Sequence, residues 1–446
     1  MTAKDALALL DTKTNELNGG MGLEWRYPAK PLSNPLRFQF SKSWPKYENG
    51  KAGPWKKNAK HWFYAEFTFP EKKNGVPLRG ETAMLHVFGW MPFTLWMDGQ
   101  ELFKEEHAWL ATGPIADPLP VPIIPGRKHR LIVCIEPTEL PGNSLSLHIE
   151  FKIRKCTDIA LETGAAAGQL RYAEALAKTA ADRKLVEKAA SCVDTEALRA
   201  ERWDRAIASI SRMENLLAPF ASRAREMTVH VIGHTHIDMD WMWTWPDTVK
   251  CIRRDVKAVA DMMDDYPELT FTMSQGSIYE TAKKTDPDIF RRIQQRVREG
   301  RWECAAGTWV EGDLNMADGE SVARHMLYAA DWTRKHLGVK AKVLWEPDTF
   351  GHPGNMPQLA KLGEFDSYFH WRCNPDRYDG WPIWTWKGDD GTPITAFSES
   401  YGSDLAPGVL TWRAIRHLRD GRRNAFHIWG LGDHGGALSR WQLDNL

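Results

Sequence analysis

Three kinds of hydrophobic pattern follow one another along the chain. From about Trp55 to Ile153, apolar and polar residues alternate in short stretches, as in His61-Trp62-Phe63-Tyr64-Ala65-Glu66-Phe67, Ala83-Met84-Leu85-His86-Val87-Phe88 and Leu131-Ile132-Val133-Cys134-Ile135. A two-residue repeat puts alternate side chains on opposite faces of an extended backbone, and Gly and Pro bound each stretch, so these predict β-strands. Met97-Asp98-Gly99-Gln100 predicts a hairpin, because Asp-Gly supplies the positive φ of a tight type I′ turn. The set predicts a β-sandwich of about 100 residues. From 159 to 224 the chain turns rich in Ala, Leu, Glu, Lys and Arg, with no proline before Pro219 and apolar residues three to four apart, which predicts helices. From Thr228 onward, short apolar runs at 229–233, 270–273, 302–306, 343–345, 367–370, 394–397 and 426–429 alternate with helical patterns at 249–263, 288–298 and 321–336. Such alternation predicts a parallel sheet with crossover helices. Seven strands approach the number that closes a barrel, although periodicity alone does not separate a closed barrel from an open sheet. The expected architecture is multidomain: a β-sandwich over residues 1–155, a helical linker over 156–226, and an α/β, (β/α)7-barrel-like domain over 227–446.

Composition narrows what such a chain does. Its 446 residues are 43% hydrophobic and 26% charged, ordinary for a globular protein with sizeable cores. A net charge of zero gives no electrostatic reason to expect nucleic acid or a membrane surface as partner. No apolar run is long enough to span a bilayer, and Met1-Thr2-Ala3-Lys4-Asp5 opens no apolar signal core. The cysteines Cys134, Cys156, Cys192, Cys251, Cys304 and Cys373 are scattered without CxxC pairing, so free thiols in a reducing cytoplasm are expected. The 22 tryptophans are unusual; most are expected in packing, a few against sugar faces.

In α/β folds, ligands bind at the carboxyl ends of parallel strands. Here ionisable or amide groups follow nearly every expected strand: His234, His236 and Asp238 after the first, Gln275 after the second, Glu311 and Asp313 after the third, Glu346, Asp348 and His352 after the fourth, Arg372 after the fifth, and Asp433 and His434 after the seventh. In His236-x-Asp238, residues two apart in an extended segment point the same way, so an imidazole and a carboxylate can converge on one cation. Mixed N and O donors suit a divalent metal, Zn²⁺ first. The HxD pair is weak by itself; its place directly after a strand, before Trp241, Trp243 and Trp245, strengthens it. Asp348 lies in a stiff loop between Pro347 and Gly351, and serves equally well as a helix N-cap. Asp433 lies among four glycines, where substrate has room to approach and where a plain flexible turn is the alternative. Two carboxylates from different strand ends meet the needs of glycoside hydrolysis, one attacking the anomeric carbon and one protonating the leaving oxygen, about 5–5.5 Å apart in retaining enzymes.

At these residues the chain resembles glycoside hydrolase family 38, the α-mannosidases. The resemblance rests on Gly233-His234-Thr235-His236-Ile237-Asp238-Met239-Asp240-Trp241, Gly307-Thr308-Trp309-Val310-Glu311-Gly312-Asp313, Trp345-Glu346-Pro347-Asp348-Thr349-Phe350-Gly351-His352 with Met356-Pro357-Gln358, and Gly432-Asp433-His434-Gly435-Gly436, in that order. It spans 228–440, with a weaker likeness to the β-domain and helices of the bacterial and fungal type. It implies a mannose-containing oligosaccharide or glycan as substrate. It also implies one Zn²⁺ on His236, Asp238 and Asp348, with other divalent metals as alternatives, holding the 2- and 3-hydroxyls of mannose. Asp348 is then also the nucleophile, Asp433 the general acid/base and Trp241 the stacking platform, with Glu311, Asp313 and Arg372 as pocket residues.

The family's fourth ligand, a histidine in a His-Asp motif well downstream, and the domains around it have no counterpart before Leu446; His434 is the substitute within reach. Gly436-Ala437-Leu438-Ser439-Arg440 also departs from the usual glycine run ending in Pro-Thr. A fragment or a short variant is therefore expected, with apolar surface left open to self-association or a homo-oligomer. Two other readings compete: a metal-dependent carbohydrate deacetylase, for which no HxxxH pair stands in the right place, and a glycan-binding chain without turnover. Light scattering tests the association: concentration-dependent growth in mass is expected, and a monodisperse, heat-stable monomer contradicts it.

Overall fold

A computed structural model of the chain describes residues 3–30, 32–48, 55–89, 91–105, 117–137, 147–241, 243–373, 382–402, 404–419, 421–431 and 435–446. Two compact units emerge, one of Met1–Thr228, Leu405–Asn424 and Trp441–Leu446, the other of Val229–Asp404 and Ala425–Arg440.

The first unit opens with a helix that the strand-like reading of residues 1–155 did not anticipate, Ala3–Asn18 (α1). Its strands are Met21–Gly22 (β1), His61–Thr68 (β2), Lys72–Lys73 (β3), Val76–Pro77 (β4), Thr82–Gly89 (β5), Phe93–Met97 (β6), Gln100–Glu105 (β7), Leu119–Pro122 (β8), Lys128–Ile135 (β9) and Leu147–Ile153 (β10). They form two antiparallel four-stranded sheets, ordered β1-β10-β5-β8 and β2-β9-β6-β7, and a small β3-β4 ribbon. The chain then runs straight into Arg154–Leu176 (α2), followed by Ala180–Ser191 (α3), Thr195–Arg199 (α4), Trp203–Leu217 (α5) and Ala221–Ala224 (α6). These helices are more than a connection. Leu170 and Met213 join Leu10 and Leu17 of α1 and sheet residues such as Phe63, Val133, Leu85 and Phe151 in one apolar cluster.

The second unit carries parallel strands. Thr228–His234 (β11), Phe271–Met273 (β12) and Trp302–Cys304 (β13) run parallel, linked by Trp245–Asp265 (α7), Gly276–Thr285 (α8) and Pro287–Arg298 (α9). After Gly319–Leu337 (α10) come Val343–Glu346 (β14), Met356–Leu362 (α11), Ser367–His370 (β15), Ile383–Lys387 (β16) and Pro393–Ser398 (β17). Pro407–Arg419 (α12) belongs to the first unit and packs along α2 there, where Gly168 has no room for a Cβ beside Thr411. Asn424–Trp429 (β18) completes the strands, and the short helix Arg440–Asp444 (α13) ends the chain's regular structure. The helix ends are capped as their sequences require. Thr244 and Asp247 form a capping box on α7, Asp318 accepts the Ser321 N–H of α10, and Gly338 ends α10 in the left-handed conformation at φ 72°.

All seven strands expected after Thr228 form, but among the described residues they do not close into a barrel. They pair as two four-stranded sheets, β13-β12-β11-β18 and β14-β15-β17-β16. The reason is β16, which the helix-alternation pattern missed. It lies antiparallel on the outer edge of β17, whose other edge pairs with β15, so β17 has no free edge for β18. Between β13 and β14 no ladder forms among the described residues.

The expected hairpin is present. Met97 pairs with Gln100, and Asp98 and Gly99 take φ 51° and 87°. The Asp98 carboxylate also accepts the Arg130 N–H at 2.9 Å and faces His129 Nδ1 at 2.8 Å. Asp98→Ala should therefore destabilise the chain by about 1–2 kcal/mol, read as a lower midpoint in chemical unfolding; an unchanged midpoint would mean these bonds are replaced by water at no net cost.

Candidate active site

The strand ends of the second unit bring together most of the residues singled out from sequence. Beyond β11, His236 is buried, at 2% exposure, while Asp238 stays partly open. Asp348 stands two residues past β14. One donor atom from each of His236, Asp238 and Asp348 lies within 4.8 Å of the others. His236 Nε2 is 3.1 Å from Asp238 Oδ1 and 3.9 Å from Asp348 Oδ2. The opposite ring nitrogen, Nδ1, faces Glu311 Oε2 at 3.3 Å, and neither of these two buried atoms has a hydrogen-bond partner.

That orientation fits a metal ion. A ligating histidine commonly turns one nitrogen to the ion and the other to a carboxylate, which fixes ring and tautomer. With Nδ1 turned towards Glu311, Nε2 points at the carboxylates of Asp238 and Asp348, between which a cation would sit. Three N/O donors match a divalent site that keeps positions open for substrate or water. Burial alone works against a charged imidazole, but Glu311, Asp238 and Asp348 outweigh it and hold the His236 pKa up at about 9.

Asp348 is held on both sides. Its Oδ1 accepts the phenol of Tyr401 at 2.8 Å and is paired with Arg372 Nε, while its backbone N–H donates to Glu311 Oε1 at 2.6 Å. Arg372 in turn lies over the ring of Phe350, 4.3 Å from its centroid. Tyr401, three residues past β17, escaped the sequence reading; the strand-end rule applied to the sixth expected strand would have reached it. Beneath Asp348, Thr349 Oγ1 lies 3.2 Å from Glu311 Oε1 and 3.1 Å from Glu346 Oε2, and Thr308 Oγ1 donates to Glu346 Oε1 at 3.0 Å. Burial, then the charge of Glu311, pushes the Glu346 carboxyl well above the usual range. Burial raises the Glu311 carboxyl as well, with the charge on His236 opposing it.

Gln275, at φ 63°, bridges two loops. Its amide donates to the Ile237 carbonyl at 2.8 Å and accepts the Glu311 N–H at 3.0 Å. A non-glycine residue in the left-handed region persists only where its surroundings compel it. Asp240, at φ 50°, turns the chain so that Trp241 stands 62% exposed at the rim while Trp243 Nε1 donates to Thr248 Oγ1. A cavity of about 160 Å³ opens over this assembly, lined by His236, Asp238, Trp241, Glu311, Asp313 and Asp348 among others. Asp313 is exposed there, its carboxylate accepting the Asn315 N–H. Arg372 reaches the site through Asp348, and Glu311 is turned towards its neighbours in the protein. Asp433 and His434 lie outside the described residues.

Residues 226–445 match the family model described as glycosyl hydrolases family 38 N-terminal domain. Among curated relatives, an α-mannosidase of Saccharomyces cerevisiae is 29% identical over 233 residues, 49% of this chain and 21% of the relative. Alpha-mannosidase 2C1 of Homo sapiens is 30% identical over 226 residues, 49% of this chain and 22% of the relative. The chain thus spans about a fifth of the length of the curated relatives it matches. Among solved structures, an α-mannosidase from Enterococcus faecalis aligns over 46% of this chain and 25% of its own at 20% identity, with a TM-score of 0.41.

The contact between Glu311 and His236 leads to a measurable expectation. Glu311→Gln should weaken binding of Zn²⁺, followed by calorimetric titration, by roughly 10–100-fold. An unchanged affinity would show that Glu311 does not orient the imidazole.

Proposed function

We propose that this chain, a family 38 α-mannosidase-like protein, hydrolyses α-mannosidic bonds with retention of configuration through a covalent glycosyl-enzyme intermediate. The observation that carries this reading is the setting of Asp348. The carboxylate sits at a strand end under a cavity, with one oxygen facing the His236–Asp238 pair and the other held by Arg372 and Tyr401. The bound group would be one divalent ion, Zn²⁺ by the chemistry of its donors, on His236, Asp238 and Asp348. When bound, it supplies positive charge and a template for sugar hydroxyls.

The chain's own residues do the rest. Trp241 offers a ring face to the sugar at the mouth of the cavity. Arg372 and Tyr401 fix the direction of the Asp348 carboxylate, which attacks the anomeric carbon as the glycosidic bond breaks. Asp433 protonates the departing oxygen and, in the second half-reaction, takes a proton from the water that releases the sugar from Asp348. Glu311 holds the Asp348 backbone and the His236 ring in place. Mannose-containing glycans are the proposed substrates. The six unbridged cysteines fit a reducing compartment, the cytoplasm.

Hydrolysis of an aryl α-mannoside by the purified chain with added Zn²⁺ tests the activity, and NMR of the first product tests the stereochemistry. The α-anomer is expected; first-formed β-mannose would exclude retention. Asp348→Asn should lower turnover by at least about 10³-fold with the fold intact. Wild-type turnover in that variant would remove Asp348 from the nucleophile's place.

A further inference from the structure

One fully buried carboxylate has no part in the chemistry above. Asp255 lies on the inner face of α7 with no solvent exposure. Its Oδ2 accepts the N–H of Gly436 at 2.9 Å and the hydroxyl of Thr235 at 3.1 Å, and its Oδ1 accepts Arg254 Nε at 2.7 Å. Thr235 Oγ1 in turn accepts the N–H of Ala437 at 3.3 Å, and the Gly435 N–H reaches the carbonyl of His236 at 2.5 Å. Gly435, Gly436 and Ala437 all have positive φ, at 70°, 103° and 56°. Three successive left-handed residues do not persist in a free loop. A side chain at Gly435 is also barred by space, since a Cβ there would lie 2.5 Å from Cys251 Sγ and 2.8 Å from Asp255 Oδ2.

We propose that Asp255 is a positioning residue for proton transfer. Through Thr235 and the backbone of 435–437 it ties the residues that follow Asp433 in sequence to the segment that carries His236 and Asp238. A buried carboxylate is costly unless donors satisfy it; Cys251 Sγ adds a fourth donor at 3.9 Å, and two of the four, Gly436 and Thr235, come from the segments that Asp255 joins. A proton donor must sit within hydrogen-bond reach of the leaving oxygen, and a displacement of about 1 Å can cost roughly 10²-fold in rate. The inference rests on the reading of Asp433 as general acid/base, so its test carries an Asp433 variant alongside.

The readout is kcat/KM across aryl α-mannosides whose leaving groups range from dinitrophenol to phenol, since a good leaving group needs little help from an acid. Asp255→Asn should lower kcat/KM by roughly 10–100-fold for phenyl mannoside and by under about threefold for the dinitrophenyl substrate. Thr235→Val should act in the same direction. Zn²⁺ affinity should stay within about threefold of wild type in both, which separates a displaced acid from a damaged metal site. A uniform loss across the series, or none, would overturn the proposal. If Asp433→Asn itself shows no dependence on the leaving group, the acid/base reading fails and the proposal with it. A measurement that needs no turnover is hydrogen exchange of the amides of Gly435, Gly436 and Ala437. Protection should drop in Asp255→Asn, and full protection in that variant would also overturn the proposal.

Discussion

The Glu311 carboxylate spans the gap that the backbone leaves open. No ladder joins β13 to β14 among the described residues, yet the loop after β13 sends Glu311 to the Asp348 N–H and the Thr349 hydroxyl beyond β14, while its other oxygen faces His236 beyond β11. Thr308, from the same loop, reaches Glu346 at the end of β14. Side-chain oxygens thus take over where strand pairing stops, and three strand ends are held in one arrangement. The cleft, the orientation of the His236 ring and the placing of Asp348 all depend on this contact.

Such a network is expensive to bury. Three acids and an imidazole lie close together; burial pushes Glu311 and Glu346 towards protonation, and the charge of Glu311 adds to the push on Glu346. A fold gains little stability from groups of this kind, since apolar side chains of similar volume would serve about as well or better. The strain at Gln275 and Asp240 points the same way. A chain that retains both features keeps them for what they position.

Much of this was legible in the sequence, for identifiable reasons. His236, Asp238, Asp348 and Arg372 were found because parallel strands announce themselves by short apolar runs and present their functional groups just past them. What local periodicity does not encode is which edges pair. Trp384-Thr385-Trp386-Lys387 alternates in polarity as a strand should, but no helical pattern precedes it in the sequence, so an expectation of parallel crossovers passed over it and with it the reason the ring stays open. Tyr401 belongs to no motif and acquires meaning only from its 2.8 Å approach to Asp348. Asp255 left a trace: on α7 it shares one face with Cys251 and Val259, four residues to either side, and a charge in the middle of a buried stripe signals an internal partner.

The open ring has a mechanical consequence. Its two half-sheets meet through side chains, with Ala305 and Ile428 from one packed among Trp345 and Phe369 from the other. Packing of this kind yields to small sliding movements that a hydrogen-bonded ladder resists. The donor set divides along the same line: His236 and Asp238 follow β11 in one half-sheet, Asp348 follows β14 in the other. An ion held by all three would therefore act as a rivet across the seam, stiffening the halves against each other as a crosslink does, and its release would return compliance to the place where the sugar has to enter and leave.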